Sequence, residues 1–112
     1  MKIRYLILLT SLVIFIYHFF ALAEERTYIF AVVPQFPPSY IHENWEPLLK
    51  ALEEETGLKF VLKTYRSIPE FERAFLKGEP DFAFMNPYHA VMAKRAQGYI
   101  PLIRDKNPLT GI

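Results

Sequence analysis

The residues best placed to do chemistry in this 112-residue chain are Asn86-Pro87-Tyr88-His89, which follow a short apolar run, Asp81 to Met85, without a break. Asparagine accepts a backbone N–H at a helix cap and proline suits the first helical position, so these four residues predict a helix start. The positive end of a helix dipole and its free N–H groups attract anions, and the N–H groups of Tyr88 and His89 are the expected donors. The chemistry would be non-covalent recognition of a small oxyanion. A capped surface helix with no ligand would show the same residues, and local spacing leaves both readings open. Ser67-Ile68-Pro69-Glu70 is a second helix start, with the spacing of a capping box.

Catalysis finds no comparable constellation. His42 and His89 stand in separate segments, no Ser, His and Asp fall into a triad, and no carboxylate or histidine cluster has metal-ligand spacing. The sequence therefore argues for a binding protein and against an enzyme, and it calls for no cofactor. Tyr88 has two uses, a hydroxyl for a ligand or a ring for packing. Trp45, Phe71 and Phe75 fall at core-facing positions, and Glu53-Glu54-Glu55 reads as the solvated end of a helix.

The elements that must position these residues follow from proline and glycine punctuation, which divides the chain after residue 24 into alternating apolar runs and amphipathic stretches. A first strand spans Tyr28 to Val33, and its unbroken apolarity predicts a central strand covered on both faces. The loop Pro34 to Tyr40 carries Gln35 at that strand's carboxyl end. A helix from about Ile41 to Thr56 follows, with Ile41, Trp45, Leu48, Leu49 and Leu52 at helical spacing and Gly57 as its stop. The second strand is Lys59 to Tyr65, with the alternation of an outer strand. The Ser67 helix turns Phe71, Phe75 and Leu76 toward the sheet and ends at Gly78. The third strand is Asp81 to Met85, the next helix runs from Pro87 to about Ala96, and Tyr99 to Arg104 reads as a fourth strand. The pattern is βαβαβαβ: an α/β fold with a mainly parallel sheet and the first strand between the second and third. A topological switch point then lies at the carboxyl end of the first strand, between the loops Gln35 to Tyr40 and Met85 to His89.

Residues 1–23 have the three parts of a secretory signal: Lys2 and Arg4, an apolar run from Tyr5 to Phe20, and the small-x-small site Ala21-Leu22-Ala23. Cleavage would leave Glu24 first. An uncleaved anchor through residues 5–23 is the alternative, and either reading places residues 24–112 outside the cytoplasm. The chain has no cysteine, which excludes disulfides and a lipid-modified cysteine. Without Lys2 and Arg4, the 13 basic residues fall to 11 against 12 acidic ones, a balance that argues against nucleic-acid binding.

The strings Ala31-Val32-Val33-Pro34-Gln35, Trp45-Glu46-Pro47-Leu48-Leu49, Glu55-Thr56-Gly57, Ser67-Ile68-Pro69-Glu70-Phe71 and Asp81-Phe82-Ala83-Phe84-Met85-Asn86-Pro87-Tyr88-His89, in this order, resemble the N-terminal part of the PhnD-like solute-binding proteins. That family serves ABC importers of phosphonate, phosphite and phosphate. The resemblance implies that residues 24–112 are an incomplete first lobe of a type II periplasmic-binding-protein fold, behind a signal helix. It also implies a small oxyanion as solute and an ABC-transporter permease as partner. Ser67, Ile68, Met85, Asn86, Pro87 and Tyr88 match the family's ligand-contacting segments, and Gln35 and His89 complete the expected site. Ile68 and Met85 stand where characterised phosphonate binders tend to place tyrosines. The chain ends where such a lobe would continue, so a truncated or non-functional fragment is expected. Similar lobes also precede membrane helices and kinase modules, so the periplasmic sensor domain of a signalling protein is the alternative.

Overall fold

A computed structural model of the chain describes residues 2–21 and 25–107. The expected cleavage site at Ala21-Leu22-Ala23 and the final stretch from Pro108 to Ile112 therefore fall wholly or partly outside the described residues. Helix α1, Lys2–Ala21, comes first, and its large apolar side chains from Ile3 to Tyr17 are exposed. Among the described residues no helix is long and apolar enough to cross a membrane.

The remaining elements are β1 (Thr27–Val32), α2 (Pro38–Thr56), β2 (Lys59–Lys63), α3 (Ile68–Leu76), β3 (Phe82–Phe84) and α4 (Pro87–Gln97). They form a three-stranded sheet in the order β2-β1-β3, with both pairs parallel. The register sets Tyr28 beside Phe60 and Ala31 beside both Lys63 and Ala83. Asp81 locks the entry to β3 by donating its backbone N–H to the Ile29 carbonyl at 3.0 Å while its carboxylate accepts the Ile29 N–H at 2.8 Å. β1 is thus the central strand its apolar run predicts.

Successive residues of a strand face opposite sides, and both sides of β1 are covered. Ala31 and Val33 join Tyr65, Phe71, Ala74, Phe75 and Ala93 in one buried cluster, so α3 and α4 share one face. Val32 joins Ile41, Leu49 and Leu62 in a second cluster, which places α2 on the other. The crossovers β1-α2-β2 and β2-α3-β3 run in opposite lateral directions, and two crossovers of one hand then require helices on opposite faces.

Local chemistry sets most helix ends. Gly57 and Gly98 take left-handed backbone at φ 71° and 74° and close α2 and α4, with N–H groups donating to the Glu53 and Lys94 carbonyls. Glu53 is not merely solvated: its carboxylate accepts the Phe60 N–H at 2.8 Å and so links α2 to β2.

The structure corrects three further expectations about the elements. Residues 99–104 form no strand, which makes the order βαβαβα. An apolar run becomes a strand only when another strand takes up its N–H and C=O groups, and here Ile100, Leu102 and Ile103 are exposed, the last at 94%. Leu76 stays at the surface, because the core-facing positions of α3 are Phe71, Ala74 and Phe75. Leu48, within the predicted stripe of α2, is also exposed, since Ile41 and Leu49 already fill the contact with Val32 and Leu62.

Candidate functional site

Because every strand pair is parallel, the carboxyl ends of all three strands meet at one edge of the sheet, and the predicted site residues emerge there. β1 leaves that edge through Val33, whose N–H donates to the Phe84 carbonyl at 3.0 Å, and a tight turn in which the Gln35 N–H donates to Val33 at 2.8 Å. Gln35 is exposed, and beyond it the Phe36 and Tyr40 rings meet at a tilt with centroids 4.7 Å apart, both about half exposed. β2 leads to Ser67 and Ile68, while β3 leads to Met85, Asn86, Pro87 and Tyr88. Met85 packs against the α3/α4 cluster, and the side chains of Ile68 and Tyr88 are exposed at 42% and 70%.

The two helix starts share one construction. In α3 the Ser67 hydroxyl accepts the Glu70 N–H at 3.3 Å; in α4 the Asn86 side-chain oxygen accepts the His89 N–H at 2.8 Å. Pro69 and Pro87 carry no N–H. Of the donors at the first three helical positions of each helix, one is capped, one is removed by proline and one is left over, and the leftover donors are the backbone N–H groups of Ile68 and Tyr88. Two free N–H groups, each at the positive end of a helix dipole, suit a small anion and give it no counter-charge that titrates. The Glu70 carboxylate accepts the Arg66 N–H at 3.1 Å, one residue earlier than in the simple capping box.

His89 occupies a different setting. Its N–H is taken by Asn86, so of the two expected anion donors in α4 only Tyr88 retains a free one. Its ring is buried, 2% exposed, between Phe71 at 5.7 Å and Phe75 at 5.4 Å, and Nε2 lies 3.0 Å from a Glu72 carboxylate oxygen. Nδ1 is buried with no partner. Glu72 has no short-range signature that would point to this contact, which joins two helices; its one visible cue is a place beside the Phe71/Phe75 stripe.

A surface cleft of about 670 Å³ lies elsewhere, against α2 and lined by His42, Glu43, Glu46, Lys50, Glu53 and Phe60 among others. Three glutamates against one lysine make it repellent to an oxyanion, and it sits away from the helix starts. Among the described residues no group of three or more His, Cys, Asp or Glu could hold a metal ion.

Residues 30–110 match a family model described as ABC transporter, phosphonate, periplasmic substrate-binding protein. The fold is similar to that of a solved binding protein component of an ABC phosphonate transporter from Pseudomonas aeruginosa, with a TM-score of 0.60. Sequence identity is 16%, over 65% of this chain and 24% of that one, so this chain spans about a quarter of that protein's length. At this identity the likeness speaks for the fold: an α/β unit matching part of a periplasmic-binding-protein lobe. No curated protein sequence matches the chain.

Proposed function

We propose, because this chain belongs to the family of periplasmic substrate-binding proteins of phosphonate ABC transporters, that it takes part in binding a phosphonate, phosphite or phosphate outside the cytoplasm. The family is one of transport binding proteins rather than enzymes, and a permease is the partner its members serve. The reading rests on one observation: two helices with matched starts meet the carboxyl edge of the central strand, and each leaves a first-turn backbone N–H without a partner, that of Ile68 or Tyr88.

In this reading Ile68 and Tyr88 donate backbone N–H groups to the oxyanion. Ser67, Asn86 and Pro87 shape the two turns, Met85 closes the floor between β3 and the α3/α4 cluster, and Gln35 brings a side-chain amide from the β1 loop. Backbone donors tolerate any tetrahedral oxyanion, so the substituent would be chosen by the exposed side chains of Ile68 and Tyr88. Residues 1–23 act as a signal peptide, and Glu24 would be the first residue of the processed chain.

The test is an amide-resolved NMR titration with methylphosphonate, phosphite and phosphate, using acetamide as an uncharged control. Saturable shifts centred on Ile68 and Tyr88 are expected with at least one oxyanion. Shifts confined to other residues, or none up to 10 mM-scale additions of roughly the weakest useful affinity, would refute the assignment. N-terminal sequencing of protein recovered from the periplasm should begin at Glu24.

A further inference from the structure

We propose that His89 is a positioning residue for the oxyanion site: by hydrogen bonding to Glu72 it ties the first turn of α4 to α3 and sets the spacing between the Ile68 and Tyr88 N–H groups. The inference rests on the functional reading above and adds a residue that touches no solute. His89 is held at two points. Its backbone N–H is fixed by the Asn86 cap at 2.8 Å, and its ring reaches across to Glu72 at 3.0 Å. A residue gripped at both ends fixes the rotation of its turn as well as its place, which apolar contacts, being non-directional, do less well.

The choice of histidine supports a role beyond filling space. The ring lies among Phe71, Phe75 and Tyr88, where an apolar side chain would pack without leaving a polar atom stranded. Instead Nδ1 is buried and unpartnered, a standing penalty that the Glu72 contact must offset. A proton on Nδ1 of the neutral ring would set the Nε2 lone pair against a carboxylate oxygen and bury a donor without an acceptor. The neutral ring is therefore the Nε2–H form, donating to Glu72. Glu72 is partly exposed, so its charge keeps contact with water while its oxygen reaches the ring.

The experiment uses the full chain and three variants: His89→Phe fills the site without a donor, His89→Gln keeps an N–H for Glu72, and Glu72→Met removes the acceptor. The first measurement is the ring nitrogen spectrum, expected to show the Nε2–H form and to change in Glu72→Met. The second is the relative orientation of α3 and α4 from residual dipolar couplings, expected to change in His89→Phe and Glu72→Met and to hold in His89→Gln. The third is methylphosphonate affinity, expected to fall about tenfold in His89→Phe and Glu72→Met and to stay within about threefold in His89→Gln. A proton on Nδ1, or unchanged helix orientation in both His89→Phe and Glu72→Met, overturns the proposal, as does unchanged affinity in those two. If the unmodified chain fails to bind methylphosphonate, phosphite or phosphate, the functional reading fails, while the ring and orientation measurements still decide whether His89 positions the two turns. Should His89→Phe not fold, Glu72→Met carries the same test from the more exposed side of the bond.

Discussion

The two faces of the sheet bury their aromatic side chains to different depths. Against α3 and α4, Phe71 and Phe75 are fully buried and Tyr65 nearly so, and their rings meet edge to face at 5.3–5.4 Å. Against α2, Phe30 and Trp45 are only partly buried although their rings meet at 5.4 Å, and Phe84 remains 49% exposed beside Trp45. The sealed face is the one that carries both helix starts. A donor aimed at a ligand is useful only if its helix cannot drift, and close packing supplies that constraint. The looser face carries the β1 loop with Gln35, where a contact can adapt.

This contrast predicts unequal responses to truncation. Phe71→Ala should destabilise the fold by about 3–5 kcal/mol, a large fraction of the total stability of a domain of this size. Trp45→Ala should lose less, since part of its surface is already in water. Denaturant unfolding followed by circular dichroism compares the two. A larger loss for Trp45→Ala would reverse the ranking of the faces.

At the helix starts the expected effects are smaller. Asn86→Ala removes an accepting oxygen from the His89 N–H and should lower stability by about 1 kcal/mol. Ser67→Ala should lower it by less, because the Ser67 bond to the Glu70 N–H is longer, 3.3 Å against 2.8 Å. The same unfolding experiment decides between them. Equal losses would mean that the difference in bond length has no energetic weight.

What could be read from the sequence was what is local. The caps at Ser67 and Asn86, the glycine stops at Gly57 and Gly98 and the unbroken apolar run of β1 all act within a few residues, so their patterns survive in one dimension. The strand order followed because two crossovers of one hand leave few alternatives. The Asn86 cap is legible in full, and by the same rule it takes the His89 N–H, which leaves that donor unavailable to an anion. Tyr99 to Arg104 forms no strand because an apolar run says nothing about whether a neighbour is present to pair with it. The His89 contact with Glu72 was out of reach for a related reason: it joins α3 and α4 across a gap of 17 residues, and only the packing of Phe71 and Phe75 turns the ring toward that carboxylate.

The smallest effect at neutral pH concerns the other buried polar atom of the sealed face. The Tyr65 hydroxyl has no hydrogen-bond partner, and its pKa is pushed up to about 12 from 10, first by burial and then by the negative charge of Glu79. Below pH 10 the folded and unfolded chains both keep the phenolic proton, so the contribution of Tyr65 to stability is constant there. Between pH 10 and about 12 the unfolded chain releases that proton and the folded chain does not, so stability falls as pH rises through this window. Tyr65→Phe should change stability by less than about 1 kcal/mol at pH 7, since it removes an unsatisfied hydroxyl and keeps the ring against Phe71. Above pH 10 the variant should become more stable than the parent, with a residual alkaline loss from Tyr99, whose pKa burial also raises. Unfolding free energies measured from pH 7 to 12 test this. Parallel curves for the two proteins would show that Tyr65 ionises as freely in the folded chain as in the unfolded one, and the face against α3 and α4 would then be open to water.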